Sequence, residues 1–156
     1  MRTCGANNQV GQMIAAARTL VEASLRERVL RSAVSLDDPS LHEYLILKLR
    51  GCAFEELHAI FLDSDDCYLS EELVSKGDGG SVKCKSSTLF RRAFELGAVA
   101  IILVHNHPSG RPEPSREDIA ATRQLMRAAE IMGLRISDHL IVAGNRTVSL
   151  RERGVM

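Results

Sequence analysis

The sequence lacks three features, and each absence excludes a class of protein. No apolar run reaches the roughly 18 residues that a membrane-spanning helix requires. The first residues, MRTCGANNQVGQ, contain no basic segment leading into an apolar one, so they do not read as a signal peptide. The 20 Lys and Arg residues balance the 20 Asp and Glu residues, so net charge does not draw the whole chain to nucleic acid. We therefore expect a cytoplasmic protein with no membrane partner.

Closely spaced cysteines are also missing. Cys4, Cys52, Cys67 and Cys84 are scattered along the chain and form no C-x-x-C pair. In a cytosolic protein this pattern predicts reduced thiols and argues against a disulfide framework or a four-thiolate zinc site. Cys84 could lie near a metal, but an ordinary thiol is the favoured interpretation.

What is present predicts one α/β domain. The 156 residues are enough to bury a core without covalent staples. Apolar spacing predicts a helix over residues 9–34, and its basic excess (residues 1–36 carry five arginines against two glutamates) is typical of a solvated helix face. A second helix is expected to start at Asp38 or Ser40 near Pro39 and to end at Gly51.

The rest of the chain alternates strands and helices. FEELHAIFLDSDD and CYLSEELVSKGDGG predict a hairpin whose second strand runs into a glycine loop. SSTLFRRAFELGA predicts a helix with a Ser or Thr cap, and AVAIILVH a strand buried on both faces. A long amphipathic helix, SREDIAATRQLMRAAEIMGL, precedes the strands RISDHLIVAG and NRTVSL. This order predicts a three-layer α/β fold, with helices on a mixed sheet.

Two histidines follow the buried strand. His105 and His107 are separated by one residue, and alternation places such side chains on the same side of an extended chain. Neutral imidazole is a good zinc ligand, and ligands usually bind at strand ends in open α/β sheets. One histidine there would most simply be a hydrogen-bonding residue, but two in phase favour a shared cation.

A serine and an aspartate complete the pattern. Ser115 and Asp118 have the spacing of a helix capping box, which alone would explain both residues. Asp118 nevertheless lies in the first helical turn after the histidine loop, where its carboxylate could supply a third ligand. Ser115 could cap the helix and also present its hydroxyl to the site. Three protein ligands with an open fourth position are the arrangement of catalytic zinc.

These residues match a family motif. His-x-His, seven residues, Ser, two residues and Asp resembles the JAMM motif of the JAB/MPN metalloprotease superfamily. AVAIILVHNHPSGRPEPSREDIAATRQL and SDHLIVAG are similar to its RadC branch, from about Leu41 to the C-terminus. The resemblance implies a cytidine-deaminase-like fold with Zn²⁺ held by His105, His107 and Asp118.

The resemblance also implies an upstream glutamate as general acid/base. Spacing alone leaves several glutamates open, and the family pattern falls on Glu55. An arginine commonly precedes that glutamate, whereas Phe54 stands here, so Glu56 stays a rival. Asp138 and His139 resemble the family's DHLI segment. These residues could orient a metal ligand or could simply be part of a strand, and the sequence favours neither interpretation.

The N-terminal region departs from the family. RadC-like proteins usually carry a helix-hairpin-helix region that contacts DNA, and here only the helical stretch 9–34 precedes the core. We expect a helical extension over residues 1–36, a remnant of that region, and the JAB/MPN domain over residues 37–156. The chain is then a short form, or its start was assigned late, and direct DNA binding loses its best support.

The functional expectation is a zinc-dependent, metallopeptidase-like hydrolase with a suspected link to DNA repair. Activated water would attack an amide bond of a peptide or protein, Glu55 would transfer the proton, and Ser115 would donate to the developing oxyanion. The alternative is a non-catalytic DNA-repair accessory protein that binds nucleic acid or repair proteins, with structural or vestigial zinc. An interaction module without metal is disfavoured by the intact motif, and a homodimer is left open.

Overall fold

The elements of the chain follow the predicted alternation. A computed structural model describes residues 4–31, 33–77 and 85–156. The predicted glycine loop beyond Gly77 and the Cys84 thiol lie outside the described residues. The elements are α1 (Cys4–Leu30), α2 (Pro39–Leu49), β1 (Glu56–Leu62), β2 (Tyr68–Lys76), α3 (Ser86–Leu96), β3 (Ala100–Asn106), α4 (Arg116–Ile131), β4 (Arg135–Ala143) and β5 (Arg146–Ser149).

The strands form one mixed sheet in the order β2-β1-β3-β4-β5. The pair β3 and β4 is parallel and is joined through α4, whereas the other neighbouring pairs are antiparallel. Every residue of β3 is buried, because this strand lies in the middle of the sheet with helices on both faces. The predicted strand buried on both faces is therefore confirmed, as is the predicted β1–β2 hairpin.

Helices cover both faces of the sheet, so the three-layer α/β prediction is confirmed. One core packs α1 and α2 against even-numbered residues of β1 and β3, such as Ile60 and Ile102. The other packs α3 and α4 against odd-numbered residues, such as Phe61 and Leu103. Alternation along the central strands thus sorts each side chain to one face, and the odd-numbered face carries His105.

The helix ends agree with the sequence in part. Asp38 caps α2, with its carboxylate accepting from the Ser40 N–H at 2.8 Å, and Ser115 forms the predicted capping box of α4. The predicted serine or threonine cap of α3 is wrong. The cap is Lys85, whose carbonyl accepts from the Thr88 N–H at 2.9 Å, so the helix starts at Ser86 itself.

The first helix differs in both bounds from the predicted range of 9–34. It begins at Cys4 and ends at Leu30, because the chain then turns to meet the β1–β2 turn. There the Val34 N–H donates to the Asp66 carbonyl at 2.8 Å, which ends the helical ladder. Of the helices in the described part of the chain, none is long and apolar enough to span a bilayer.

Candidate metal centre

The two histidines that follow the apolar run of β3 face each other. The Nε2 atoms of His105 and His107 lie 2.8 Å apart, so alternation correctly places both rings on one side of the chain. Between them, the Asn106 side chain binds the start of β1. Its oxygen accepts from the Glu56 N–H at 2.8 Å and its nitrogen donates to the Phe54 carbonyl at 3.0 Å. These two bonds join the histidine end of β3 to the backbone on either side of Glu55.

Asp118 reaches the two rings from the first turn of α4. Its carboxylate oxygens lie 3.5 Å from His105 Nε2 and 3.4 Å from His107 Nε2. The three residues offer ligand atoms that all lie within 4.8 Å of one another. Within the described ranges, no other group of three or more His, Cys, Asp or Glu side chains meets this criterion. The structure therefore brings together the three side chains singled out as metal ligands.

The charges at this site match those of a cation site. Burial alone would raise the pKa of Asp118, but hydrogen bonds with His105 and His107 hold that pKa well below its usual range. The hydrogen bond with Asp118 raises the pKa of His107 against the effect of burial. Among the residues described, Asp118 forms no ion pair with a lysine or arginine. The carboxylate is thus ionised, and no basic side chain other than the two imidazole rings pairs with it in the described part of the chain.

The outer nitrogens of the two rings have partners. His107 Nδ1 lies 2.7 Å from the Arg111 carbonyl oxygen, and because a carbonyl only accepts, this nitrogen carries the hydrogen. The Nε2 atom of the neutral ring is then a lone pair directed at the site. His105 Nδ1 lies 2.7 Å from His139 Nε2.

The DHLI segment therefore divides into two roles. His139 is buried and contacts the candidate ligand His105, so an orienting contact exists. Asp138 points away: its carboxylate accepts from the Ser149 hydroxyl at 2.5 Å and from the backbone N–H of His139 at 2.6 Å. It also accepts from the Arg151 N–H at 3.1 Å. Asp138 therefore organises the β4–β5 end, and none of these bonds is to an imidazole ring.

The two candidate glutamates lie on opposite sides of the sheet. Glu55 lines a cavity together with His105 and Asp118, and its negative charge contributes to raising the pKa of His107. Glu56 instead binds Lys76 at 2.8 Å and His58 at 3.3 Å. Successive residues of an extended chain point to opposite faces, which separates these neighbours. The geometry favours Glu55 over Glu56 as the residue that serves the site.

The hydroxyl and the backbone N–H of Ser115 both form hydrogen bonds with Asp118. Its hydroxyl donates to the Asp118 carboxylate at 2.7 Å and accepts from the Asp118 N–H at 3.0 Å. A second bond, from the Ser115 N–H to the same carboxylate at 2.8 Å, completes the capping box. The hydroxyl has one hydrogen, so it would have to leave the carboxylate before it could donate to a substrate.

A cavity of about 470 Å³ is lined by two of the three candidate ligands, His105 and Asp118. Its wall combines an apolar part with a polar part. The apolar residues are Leu57, Leu103, Ala121, Leu125 and Ala128, and the polar residues are Glu55, Ser86, His105, Glu117, Asp118, Thr122, Gln124 and His139. Another cavity, of about 530 Å³, lies on the far side of α4 among four arginines and contains none of the predicted site residues. The first cavity therefore adjoins the candidate metal ligands, whereas the second does not.

Sequence reasoning missed Thr122. This residue lies four positions after Asp118, on the same face of α4. Its hydroxyl donates to the Asp118 carbonyl at 2.6 Å and lies 2.6 Å from His139 Nδ1. The i,i+4 spacing from Asp118 was the available signal, but only the packing of α4 on β4 shows that the hydroxyl meets a histidine.

Comparisons with known proteins find relatives along most of the chain. Residues 36–155 match the RadC-like JAB domain family. The chain is 36% identical over 151 residues to a UPF0758 protein of Rhodobacter capsulatus, covering 94% of this chain and 71% of that protein. It is 36% identical over 141 residues to a UPF0758 protein of Xanthomonas euvesicatoria pv. vesicatoria, covering 90% and 63%. A UPF0758 protein of Finegoldia magna is 37% identical over 130 residues, covering 83% and 57%. The chain thus spans between 57% and 71% of the length of these relatives.

Proposed function

The chain belongs to the RadC-like JAB domain family, and from this premise we propose that it is a zinc-dependent hydrolase that cleaves an amide bond in a peptide or protein. The observation that carries the proposal is the convergence of His105 Nε2, His107 Nε2 and the Asp118 carboxylate beside a cavity that also contains Glu55. The mixed α/β fold agrees with that of a JAB domain.

The donor set fits zinc. Two imidazole nitrogens and one carboxylate are ligand types that zinc prefers, and three protein ligands leave one position open, as in catalytic sites. Two facing Nε2 atoms at 2.8 Å require a hydrogen or a cation between them, since two lone pairs at that distance repel. Zinc supplies Lewis acidity, which makes water a stronger nucleophile and a carbonyl a stronger electrophile near neutral pH.

Glu55 is the proposed general base and acid. Its carboxylate would accept a proton as water attacks the amide carbon and then pass that proton to the departing amine nitrogen. Two features support this role. Glu55 lines the cavity that contains His105 and Asp118, and in the structure it forms no ion pair that would compete for its carboxylate within the described residues.

Ser115 is the proposed donor to the oxyanion, but it has a second task. Its hydroxyl orients the Asp118 carboxylate, so donation to the substrate requires rotation of the hydroxyl towards the cavity. A preorganised donor aimed at the developing negative charge lowers the barrier of acyl-transfer reactions. Ser115 would therefore serve both as the cap of α4 and as a donor to the oxyanion.

The cavity lining supports a peptide with an apolar side chain next to the cleaved bond. Leu57, Leu103 and Leu125 lie on the cavity wall beside the candidate ligands, and burial of such a side chain would position the amide over the metal site. A connection with DNA repair enters only through family resemblance, as does binding of nucleic acid. A cytoplasmic location and a homodimeric state stay predictions.

A matched pair of glutamate variants tests the proposal. The zinc-loaded chain, Glu55→Gln and Glu56→Gln would be screened in parallel on peptide and nucleic-acid libraries, with cleavage read by mass spectrometry. We expect peptide cleavage by the wild type and by Glu56→Gln, and a loss of at least about 100-fold in Glu55→Gln, the scale of general acid–base catalysis. Cleavage that survives in Glu55→Gln would refute its role. No peptide cleavage by the fully metal-loaded protein, with nucleic-acid binding instead, would favour the accessory-protein alternative.

A further inference from the structure

A chain of hydrogen bonds runs from α4 through β4 to the candidate ligand His105. The Thr122 hydroxyl lies 2.6 Å from the Asp118 carbonyl oxygen and 2.6 Å from His139 Nδ1. His139 Nε2 lies 2.7 Å from His105 Nδ1. Thr122, His139 and His105 are 1%, 5% and 3% exposed, so each polar group in this chain of hydrogen bonds depends mainly on its partners within the protein.

The hydrogens along this chain can be arranged in two ways, and in the first the Thr122 hydroxyl donates to the Asp118 carbonyl. A carbonyl oxygen only accepts, so the Thr122 hydroxyl donates to it and its oxygen accepts from His139 Nδ1–H. His139 Nε2 is then a lone pair that accepts from His105 Nδ1–H. His105 Nε2 is consequently a lone pair too, directed at the site that His107 and Asp118 share.

The opposite arrangement contains the same number of hydrogens. The Thr122 hydroxyl then donates to His139 Nδ1, His139 Nε2–H donates to His105 Nδ1, and the hydrogen of His105 lies on Nε2. In that arrangement His105 Nε2–H points at His107 Nε2 and has no lone pair for a cation. The hydroxyl of Thr122 can end the chain in either direction because it both donates and accepts.

We propose that Thr122 and His139 are positioning residues that select the tautomer of His105 whose Nε2 lone pair faces the metal. The inference rests on the metal-binding part of the proposed function. In the arrangement that metal binding needs, His139 Nδ1–H requires an acceptor, and the Thr122 oxygen is the one that the structure places there. Outer partners of ligating histidines fix tautomer and ring orientation in this way.

Removal of the hydroxyl favours the tautomer that blocks the site. In Thr122→Val the side chain keeps nearly the same shape, but His139 Nδ1–H would be buried without an acceptor. A buried donor without a partner is costly, so the hydrogen of His139 would move to Nε2. The hydrogen of His105 would then move from Nδ1 to Nε2. We expect zinc to bind Thr122→Val about 10- to 100-fold more weakly, the range found for outer partners of metal ligands.

The experiment compares zinc affinities, measured by competition with a chromophoric chelator. Thr122→Ser keeps the hydroxyl and should bind zinc like the wild type. Thr147→Val is the matched control, because Thr147 contacts another histidine, His42 Nδ1, at 2.5 Å on a different part of the sheet. It should leave zinc affinity unchanged. Equal affinity of folded Thr122→Val and wild type would overturn the inference, whereas a wild type that binds no zinc would overturn the proposed function as well.

A second measurement covers the case in which Thr122→Val does not fold. Nitrogen-15 NMR of the imidazole rings in the zinc-bound wild type reports which nitrogen of each ring carries hydrogen. We expect hydrogen on Nδ1 of both His105 and His139. Hydrogen on Nε2 of His139 in the zinc-bound protein would overturn the inference without any variant.

Discussion

Two clusters of histidine and carboxylate side chains, each with at least one buried histidine, lie on opposite faces of the sheet. The metal-side cluster, on the face covered by α3 and α4, consists of His105, His107, Asp118, Thr122 and His139. The opposite-face cluster, under α2, consists of Tyr44, Lys48, Glu56, His58, Glu71 and Lys76. Both contain a buried histidine and at least one acidic side chain, so residue type alone does not distinguish a candidate site from a structural network.

The difference lies in where the positive charge comes from. In the opposite-face cluster Lys48 lies 2.8 Å from Glu71, and Lys76 lies 2.8 Å from Glu56. The chain thus provides a cation for each of these carboxylates. In the metal-side cluster the Asp118 carboxylate pairs with imidazole rings and with the Ser115 cap, and with no lysine or arginine among the described residues. The lysines of the chain neutralise the carboxylates of the opposite-face cluster, whereas the metal-side carboxylate has the surroundings expected of a candidate cation site.

The largest expected effect separates the clusters by metal binding. His107→Ala removes one of three ligands, so we expect zinc affinity to fall by more than about 100-fold, beyond the loss of an outer partner. His58→Ala removes a histidine from the opposite-face cluster and should keep about one zinc per chain. Metal analysis after dialysis measures both. Equal zinc in the two variants would contradict the assignment of the clusters.

The next effect separates them by stability. Glu71→Gln leaves Lys48 facing a neutral amide. The Glu71 side chain is 3% exposed, whereas the Lys48 side chain is 25% exposed. Breaking a fully buried pair costs about 3–5 kcal/mol, and because Lys48 reaches water we expect about 2–3 kcal/mol. Urea unfolding measures the change, and the folded variant should bind zinc like the wild type. A loss of zinc in this variant would show that the two clusters are coupled.

A pair of helix caps gives a smaller effect with a clear contrast. Ser115 caps α4 beside the metal-side cluster, and Asp38 caps α2 on the other face. Ser115→Ala and Asp38→Ala should each lower the free energy of unfolding by about 1 kcal/mol. If Ser115 also serves the oxyanion, only its variant should reduce kcat for peptide cleavage. Equal kcat in the two variants would leave Ser115 as a cap alone.

The smallest effect is a pH dependence from the opposite-face cluster. Burial lowers the pKa of His58 despite the neighbouring carboxylates of Glu56 and Glu71, and Lys48 lowers it further. The folded protein therefore holds this ring neutral at a pH where the unfolded chain binds a proton. Its contribution to stability is full above the ordinary histidine pKa of about 6.5 and is lost as pH falls through the lower folded value.

His58→Gln should remove that contribution. Between about pH 7.5 and pH 5.5, the variant should lose less unfolding free energy than the wild type, by no more than about 1.4 kcal/mol per pH unit for one proton. Urea unfolding of both proteins with chelator present measures the difference, so that the remaining histidines contribute equally. A steeper loss in the variant would mean that His58 is charged in the folded protein.

Local patterns were enough to predict the parts of the site that are close in sequence. The spacing of His105 and His107 and the capping box of Ser115 and Asp118 set geometry through backbone periodicity, and the apolar run before His105 predicted a buried central strand. The three-layer fold followed from the order of the elements. These features depend on neighbours within one helix or strand.

The remaining parts depend on register between distant strands. Leu57 pairs with His105 across β1 and β3, and that register puts Glu55 beside the site and Glu56 behind it. The alternation of Glu55 and Glu56 was visible, but which of them shares the face of His105 was not. The contact between Thr122 and His139 likewise arises only when α4 packs on β4, so periodicity within either element could not show it.

The most direct test of the difference between the clusters is zinc-edge anomalous diffraction from crystals of the full chain purified without chelator. We expect one anomalous peak, bonded to His105 Nε2, His107 Nε2 and one carboxylate oxygen of Asp118, and none near His58 and Glu71. A peak in the opposite-face cluster, or no peak in crystals grown with added zinc, would contradict the assignment of the metal site.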